Sequence, residues 1–134
     1  MEIYRNKYVK FIYDAKNLSI NYYWSAETEY MSDEEYKKVM LIGIDYVKKF
    51  NPKNLLADQK NYKFIVTPDL QLWNAKETLP EIFKIGGIVK YAIIESDDFI
   101  TMLSMKQTME EDQNKKYKIM FFNNEKEAKE WFKK

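Results

Sequence analysis

The residues of this chain that could do chemistry lie between Asp58 and Trp73. Asp58 follows a short apolar run that predicts a buried strand, and Thr67 precedes Pro68 in a pattern typical of a helix start. Ligands of α/β sheets bind beyond the carboxyl ends of parallel strands, and free helix amides can hold an anion. The sequence therefore predicts a ligand- or partner-binding site formed by Asp58, Tyr62, Thr67, Gln71 and Trp73.

Three of these residues also have an ordinary structural explanation. Thr67 can be a plain helix cap, Asp58 a turn former and Trp73 a core residue. Because capping alone accounts for Thr67, the structural explanation is the simpler one for that residue.

The residue types that are missing restrict the chemistry further. The 134 residues include no His and no Cys, which excludes Ser-His-Asp and Cys-His catalysis, disulfide frameworks and thiolate zinc sites. A metal site would need oxygen ligands alone, and no calcium-loop pattern is present. We therefore expect no catalytic residue, no cofactor and no metal. The enzymatic alternative is an acid/base pair of a carboxylate such as Asp58 with a Tyr.

Charge and hydropathy limit the possible partners. The 22 basic and 21 acidic residues leave a net charge of +1, too small a field to steer nucleic acid. No apolar run of about 18 residues could span a bilayer, and residues 1–20 carry several charges rather than a signal segment. We expect one domain over residues 1–134, located in the cytoplasm, with a regulatory protein or a small ligand as its partner.

An aromatic hairpin opens the chain. Residues 8–13 and 18–24 are β-branched and aromatic, and the turn 14–17 between them predicts an antiparallel pair, with residues 2–6 as an extension of its first strand. Tyr22, Tyr23 and Trp24 stand in the second strand, so a structural homodimer built on the aromatic hairpin face is a further hypothesis.

The rest of the chain alternates helices with strands. A capping box at Ser32 and Glu35 predicts a helix, Pro80 predicts a break in a later one, and Ser96 is the expected cap of the next. Short apolar runs at 55–57, 88–94 and 118–122 predict buried strands. The order predicts an α/β fold: a single-layer mixed sheet of about five strands, its later strands largely parallel, flanked by helices.

A stripe of methionines offers a second candidate binding surface. Met102, Met105 and Met109 follow helical spacing, and flexible methionines occur on adaptable binding surfaces as well as in cores. The core explanation is the simpler one.

Several segments resemble a known family. Pro68-Asp-Leu-Gln-Leu-Trp73, Leu79-Pro80, Gly86-Gly87, Val89-Lys-Tyr-Ala-Ile-Ile94 and the ending from Phe121 to Phe132 resemble small bacterial STAS-like (SpoIIAA-like) proteins, relatives of anti-sigma-factor antagonists. The resemblance covers about residues 54–132. It implies a STAS-like fold of four or five strands with helices, and a non-enzymatic role in binding or signalling.

The family's phosphorylation motif is not reproduced here. In the antagonists a strand ends at an Asp, and the next helix opens with a phosphorylatable Ser. Asp58 matches the strand-end Asp, but Gln59-Lys60-Asn61 follows it. Thr67 is the nearest hydroxyl at a helix start, so phosphorylation there is a hypothesis that mass spectrometry of the native protein can test.

Overall fold

A six-stranded mixed sheet forms the centre of the structure. The computed structural model describes residues 1–84, 87–110 and 117–134, and only the backbone at 83, 105 and 108–110. Within those ranges the strands are β1 (Glu2–Arg5), β2 (Val9–Asp14), β3 (Ser19–Trp24), β4 (Asn54–Asp58), β5 (Lys90–Ile94) and β6 (Lys118–Phe122). The α-helices are α1 (Asp33–Phe50), α2 (Pro68–Glu77), α3 (Leu79–Lys84), α4 (Phe99–Glu110) and α5 (Glu125–Phe132), and a 3-10 helix covers Ala26–Tyr30.

The strands lie in the sheet in their chain order. β1, β2 and β3 pair antiparallel, while β3, β4, β5 and β6 pair parallel. A hairpin followed by a parallel α/β region is therefore confirmed.

The predicted number of about five strands is wrong, because residues 2–5 do not extend the first strand. The side chain of Asn6 makes a tight turn, in which its Oδ1 accepts hydrogen bonds from the backbone amides of Tyr8 at 2.8 Å and Val9 at 3.0 Å. The amide of Asn6 also donates to the carbonyl of Val9 at 3.0 Å. This turn folds β1 back beside β2 as a sixth strand.

Helices cover the two faces of the sheet unequally. Successive strand residues point to opposite faces, so Leu55 and Ala57 pack under α1–α4, whereas Leu56 packs under α5. We call the face covered by α1–α4 the front face, and the face covered by α5 the back face. Leu55, Leu56 and Ala57 are all at most 1 % exposed, which explains why this segment reads as a continuous apolar run.

The helix boundaries follow capping chemistry. Ser32 Oγ accepts from the amide of Glu35 at 3.1 Å, and Glu35 Oε1 accepts from the amide of Ser32 at 2.9 Å, so the predicted capping box is confirmed. The predicted break before Pro80 is also confirmed, since α2 ends at Glu77 and α3 begins at Leu79.

The start of α4 differs from the prediction. Asp98, not Ser96, caps this helix, since its Oδ1 accepts from the amide of Thr101 at 3.1 Å. Ser96 instead accepts from the amide of Asp98 at 3.0 Å and so orders the approach to the helix. In the methionine stripe Met102 is buried at 6 % exposure, and the side chains of Met105 and Met109 lie outside the described residues. None of the helices in the described ranges has the length and apolar character needed to cross a bilayer.

The burial of β4 on both faces leads to a stability prediction. Leu56 is fully buried on the back face, and we expect Leu56→Ala to lower the free energy of unfolding by about 2–5 kcal/mol, because the side chain leaves a cavity that α5 cannot fill. The matched control is Leu41→Ala, since Leu41 is 49 % exposed on α1; it should change stability by at most about 0.5 kcal/mol. Urea unfolding measures both, and equal losses would contradict this account of the back face.

Candidate functional site

An internal cavity lies between the front face of the sheet and helices α1–α3. It offers about 60 Å³ to water-sized solutes, inside a wider cleft of about 640 Å³ that includes open solvent. The smaller volume corresponds to about four or five water molecules, or a similar number of organic heavy atoms. The lining residues are Phe11, Tyr22, Trp24, Leu55 and Tyr91 from the sheet, Tyr36, Val39, Met40 and Gly43 from α1, and Gln59, Tyr62, Asn74, Leu79 and Ile82 from the connector, α2 and α3.

One face of α1 forms a wall of the cavity. Tyr36, Val39, Met40 and Gly43 are spaced three and four residues apart, so they share a single helical face. At Gly43 an added Cβ would meet no atom of the described residues within 4 Å outside its own helix. The glycine therefore leaves open space at the point where any larger side chain would enter the cavity.

Buried tyrosines give the cavity polar atoms without charge. Burial raises the pKa of Tyr22, Tyr36, Tyr62 and Tyr91 well above the usual range of a phenol. Their hydroxyl groups consequently stay protonated near neutral pH. None of the described lining residues is an acid or a base of the Asp, Glu, Lys or Arg type.

Gln59 supplies an unsatisfied acceptor. It follows β4 directly and is 3 % exposed. Its backbone amide donates a hydrogen bond to the carbonyl of Ile94 at 3.0 Å. Its side-chain Oε1 is buried without a hydrogen-bond partner among the described residues. A buried acceptor of this kind costs about 1–3 kcal/mol unless water or a ligand donates to it.

Of the five residues predicted for the site, Tyr62 alone lines the cavity. Its ring is 2 % exposed and lies 4.9 Å from the ring of Trp24. Trp73 packs behind the wall, with its ring 6.5 Å from that of Tyr36, and Lys37 Nζ lies 5.4 Å from the same indole. Trp73 is thus placed to support the cavity from outside it.

Gln71 and Thr67 belong to the framework beside the cavity. Gln71 Nε2 donates to the carbonyl of Val66 at 3.0 Å and to Gln107 Oε1 at 3.2 Å, which ties α2 to α4. Thr67 is exposed, and its Oγ1 accepts from the amide of Leu70 at 3.5 Å as the cap of α2. The structure therefore gives Thr67 a capping role and leaves its hydroxyl at the surface.

Asp58 lies at the end of β4, away from the cavity. Its Oδ1 accepts from the amide of Lys60 at 3.1 Å, and its register partner on β3 is Tyr23. The Tyr23 hydroxyl, however, donates to Glu125 Oε1 from α5. Burial raises the pKa of Tyr23, and this hydrogen bond raises it further. Because the phenol proton is engaged with Glu125, this arrangement gives Asp58 and Tyr23 no acid/base partnership.

The hairpin aromatics are mostly internal. Tyr22 and Trp24 are 9 % and 8 % exposed on the front face, and Tyr23 is half-buried beside α5. Little aromatic surface is left on this strand for a second copy of the chain, which weakens the homodimer hypothesis.

Sequence reasoning missed Gln59, Tyr36, Tyr91 and Gly43 as lining residues. The sequence did contain a signal for Gly43, because this glycine interrupts an otherwise apolar stripe in α1. No comparable pattern marks Gln59, whose burial depends on the connector that folds over it.

Comparison with known proteins does not identify a family. The chain matches no protein-family model, no curated protein and no solved structure. Within the described residues no three acidic side chains come together in a way that could hold a metal ion.

The buried phenols predict a loss of stability at high pH. Their pKa is raised in the folded state, so their contribution is complete below about pH 10, where unfolded tyrosine titrates, and declines as the pH rises beyond it. Each such tyrosine adds about 1.4 kcal/mol of loss per pH unit above that point. Urea unfolding from about pH 8 to about pH 12, followed with tyrosinate absorbance, measures the loss.

Lysines also titrate in this range, so the matched variant is Tyr62→Phe. It keeps the ring and removes one titrating hydroxyl. We expect a visibly shallower pH dependence than in the parent chain; an unchanged slope would show that Tyr62 ionises as freely in the folded state as in the unfolded one.

Proposed function

We propose that this chain is a non-enzymatic, STAS-like binding domain of the cytoplasm, and that it regulates other processes by holding a small uncharged ligand in the cavity under α1–α3. The observation that carries the proposal is a preformed cavity lined by Gln59, whose buried Oε1 has no partner among the described residues. Native proteins seldom leave a buried acceptor unpaired, and a ligand that donates to it would remove the penalty.

The lining chemistry selects the class of ligand. A charged ligand would lose its hydration among phenyl, indole and aliphatic groups that offer no countercharge, at a cost of several kcal/mol. An uncharged molecule with a short apolar body and one hydrogen-bond donor would gain from both the walls and Gln59. The volume fits a molecule of about five heavy atoms.

Two isomers can test this class of ligand. n-Butanol and diethyl ether have the same atoms, but the alcohol alone carries a donor for Gln59 Oε1. We expect n-butanol to shift the amide NMR signals of α1 and of residues 59–62, and to bind about five- to tenfold more tightly than the ether, the worth of one hydrogen bond.

The control variants use the open space at Gly43. Gly43→Leu should fill the cavity and abolish binding of both solvents, whereas Gly43→Ala adds one carbon and should retain binding. Both should fold at least as well as the parent, because glycine is about 1 kcal/mol less favourable than alanine inside a helix. Solvent shifts that are spread over the surface and unaffected by Gly43→Leu would refute the proposal, since they would mean that the cavity holds only water.

An alternative function, binding of a regulatory protein, is favoured by an exposed apolar surface at the start of α4. Phe99, Ile100 and Leu103 are 76 %, 53 % and 43 % exposed there. Such patches commonly mark protein contacts. Under this alternative Phe99→Ser abolishes binding of the regulated protein and Gly43→Leu does not; under the ligand proposal Gly43→Leu alone alters regulation.

A further inference from the structure

Five lysines surround a concavity at the opposite end of the sheet from Gln59. They are Lys16, Lys53, Lys90, Lys133 and Lys134, and the space between them measures about 490 Å³. We call this the lysine concavity. It lies where β3, β4 and β5 begin and α5 ends. We propose that the lysine concavity binds a small polyanion of the polyphosphate class, independently of the cavity ligand.

The local charge is far from the average of the chain. The net charge of the whole sequence is +1, yet no Asp or Glu side chain lines this concavity in the part of the chain that the structure describes. The ion pairs between described side chains use Arg5, Lys106 and Lys129, and none of the five lysines. Ammonium groups gathered with no acidic side chain among them repel one another, and a bound anion relieves that repulsion.

One of the ammonium groups is held in place by a hydrogen bond, and a second lies beside a glycine. Lys90 Nζ donates to the carbonyl of Trp131 at 2.7 Å and lies 5.2 Å from the centre of that indole. Lys53 Nζ lies across Gly87, where an added Cβ would approach it to 3.1 Å. Gly87 has a φ of +87°, a conformation that favours glycine, and a side chain at this position would crowd Lys53.

The end of α5 explains some of these lysines but not all of them. Cations are stabilised near a helix carboxyl terminus, which accounts for Lys133, Lys134 and the bond made by Lys90. Lys16 belongs to the hairpin turn and Lys53 to the segment before β4, so neither caps a helix. Binding of an anion would explain why Lys16 and Lys53 lie in the same concavity.

Asn54 adds a polar group to the same site. Its Nδ2 donates to the carbonyl of Asn17 at 2.8 Å, while its Oδ1 is buried without a partner among the described residues. The lysine concavity is an open depression of about 490 Å³. It fits a di- or triphosphate better than the extended backbone of a nucleic acid.

Calorimetric titration of the full chain with inorganic tripolyphosphate tests the proposal. We expect saturable binding that weakens as salt is raised. The double variant Lys16→Gln/Lys53→Gln should weaken it by about tenfold or more, because two charge-assisted contacts are lost. The matched control Lys38→Gln/Lys63→Gln removes the same charge from exposed lysines outside the concavity and should change affinity by less than about twofold.

Several outcomes separate the possibilities. ATP binding more tightly than tripolyphosphate assigns the anion to the phosphate end of a nucleotide, and equal affinity assigns it to phosphate groups alone; both support the site. Equal losses in the two double variants, no binding of tripolyphosphate, or much tighter binding of single-stranded RNA would overturn it. Gly43→Leu should leave tripolyphosphate binding unchanged, so failure here and failure of the cavity proposal are distinguishable.

Discussion

Burial of β4 and β5 on both faces is the constraint from which the rest of the structure follows. Leu55 and Leu56 are adjacent in the chain, and both are at most 1 % exposed. Since they point to opposite faces, helices must cover both sides of the sheet. The crossover connections supply α1–α4 on the front face, and the chain needs one more helix after β6 to cover the back face.

The two faces solve this packing problem differently. On the back face α5 approaches closely through small residues, Ala92 on the strand and Ala128 on the helix, both fully buried. On the front face the inward positions carry large rings such as Tyr22 and Tyr36. Each buried tyrosine hydroxyl on this face also needs a hydrogen-bond partner. With Gly43 in the facing helix, the front layer retains an open volume.

The sequence predicted those features that depend on local patterns. The capping box at Ser32 and Glu35 is a contact between near neighbours. The break before Pro80 follows because proline has no backbone N–H to donate within a helix. The sixth strand was missed because the turn depends on the side chain of Asn6, which the apolar pattern does not register. The sequence analysis placed the cap of α4 at Ser96 instead of Asp98, because either of these neighbouring polar residues could have capped the helix.

The sites were harder to predict, because they depend on which distant residues meet. The rule that ligands gather beyond strand ends directed attention to Asp58, but the adjacent Gln59 is the residue that turns inward. The lysine concavity joins the hairpin turn, the starts of two parallel strands and the end of α5, so its members are spread from Lys16 to Lys134. A balanced total charge concealed that local concentration.

The two proposed sites lie at the two ends of one strand. β4 runs from Asn54 to Asp58. The side-chain amides of Asn54 and Gln59, whose oxygens have no partner among the described residues, stand at its beginning and directly after its end. The residues between them are buried on both faces and hydrogen-bonded to strands on both sides. A segment held in this way resists displacement, and coupling between sites requires an element with two arrangements. The two proposed ligands should accordingly bind without changing each other's affinity.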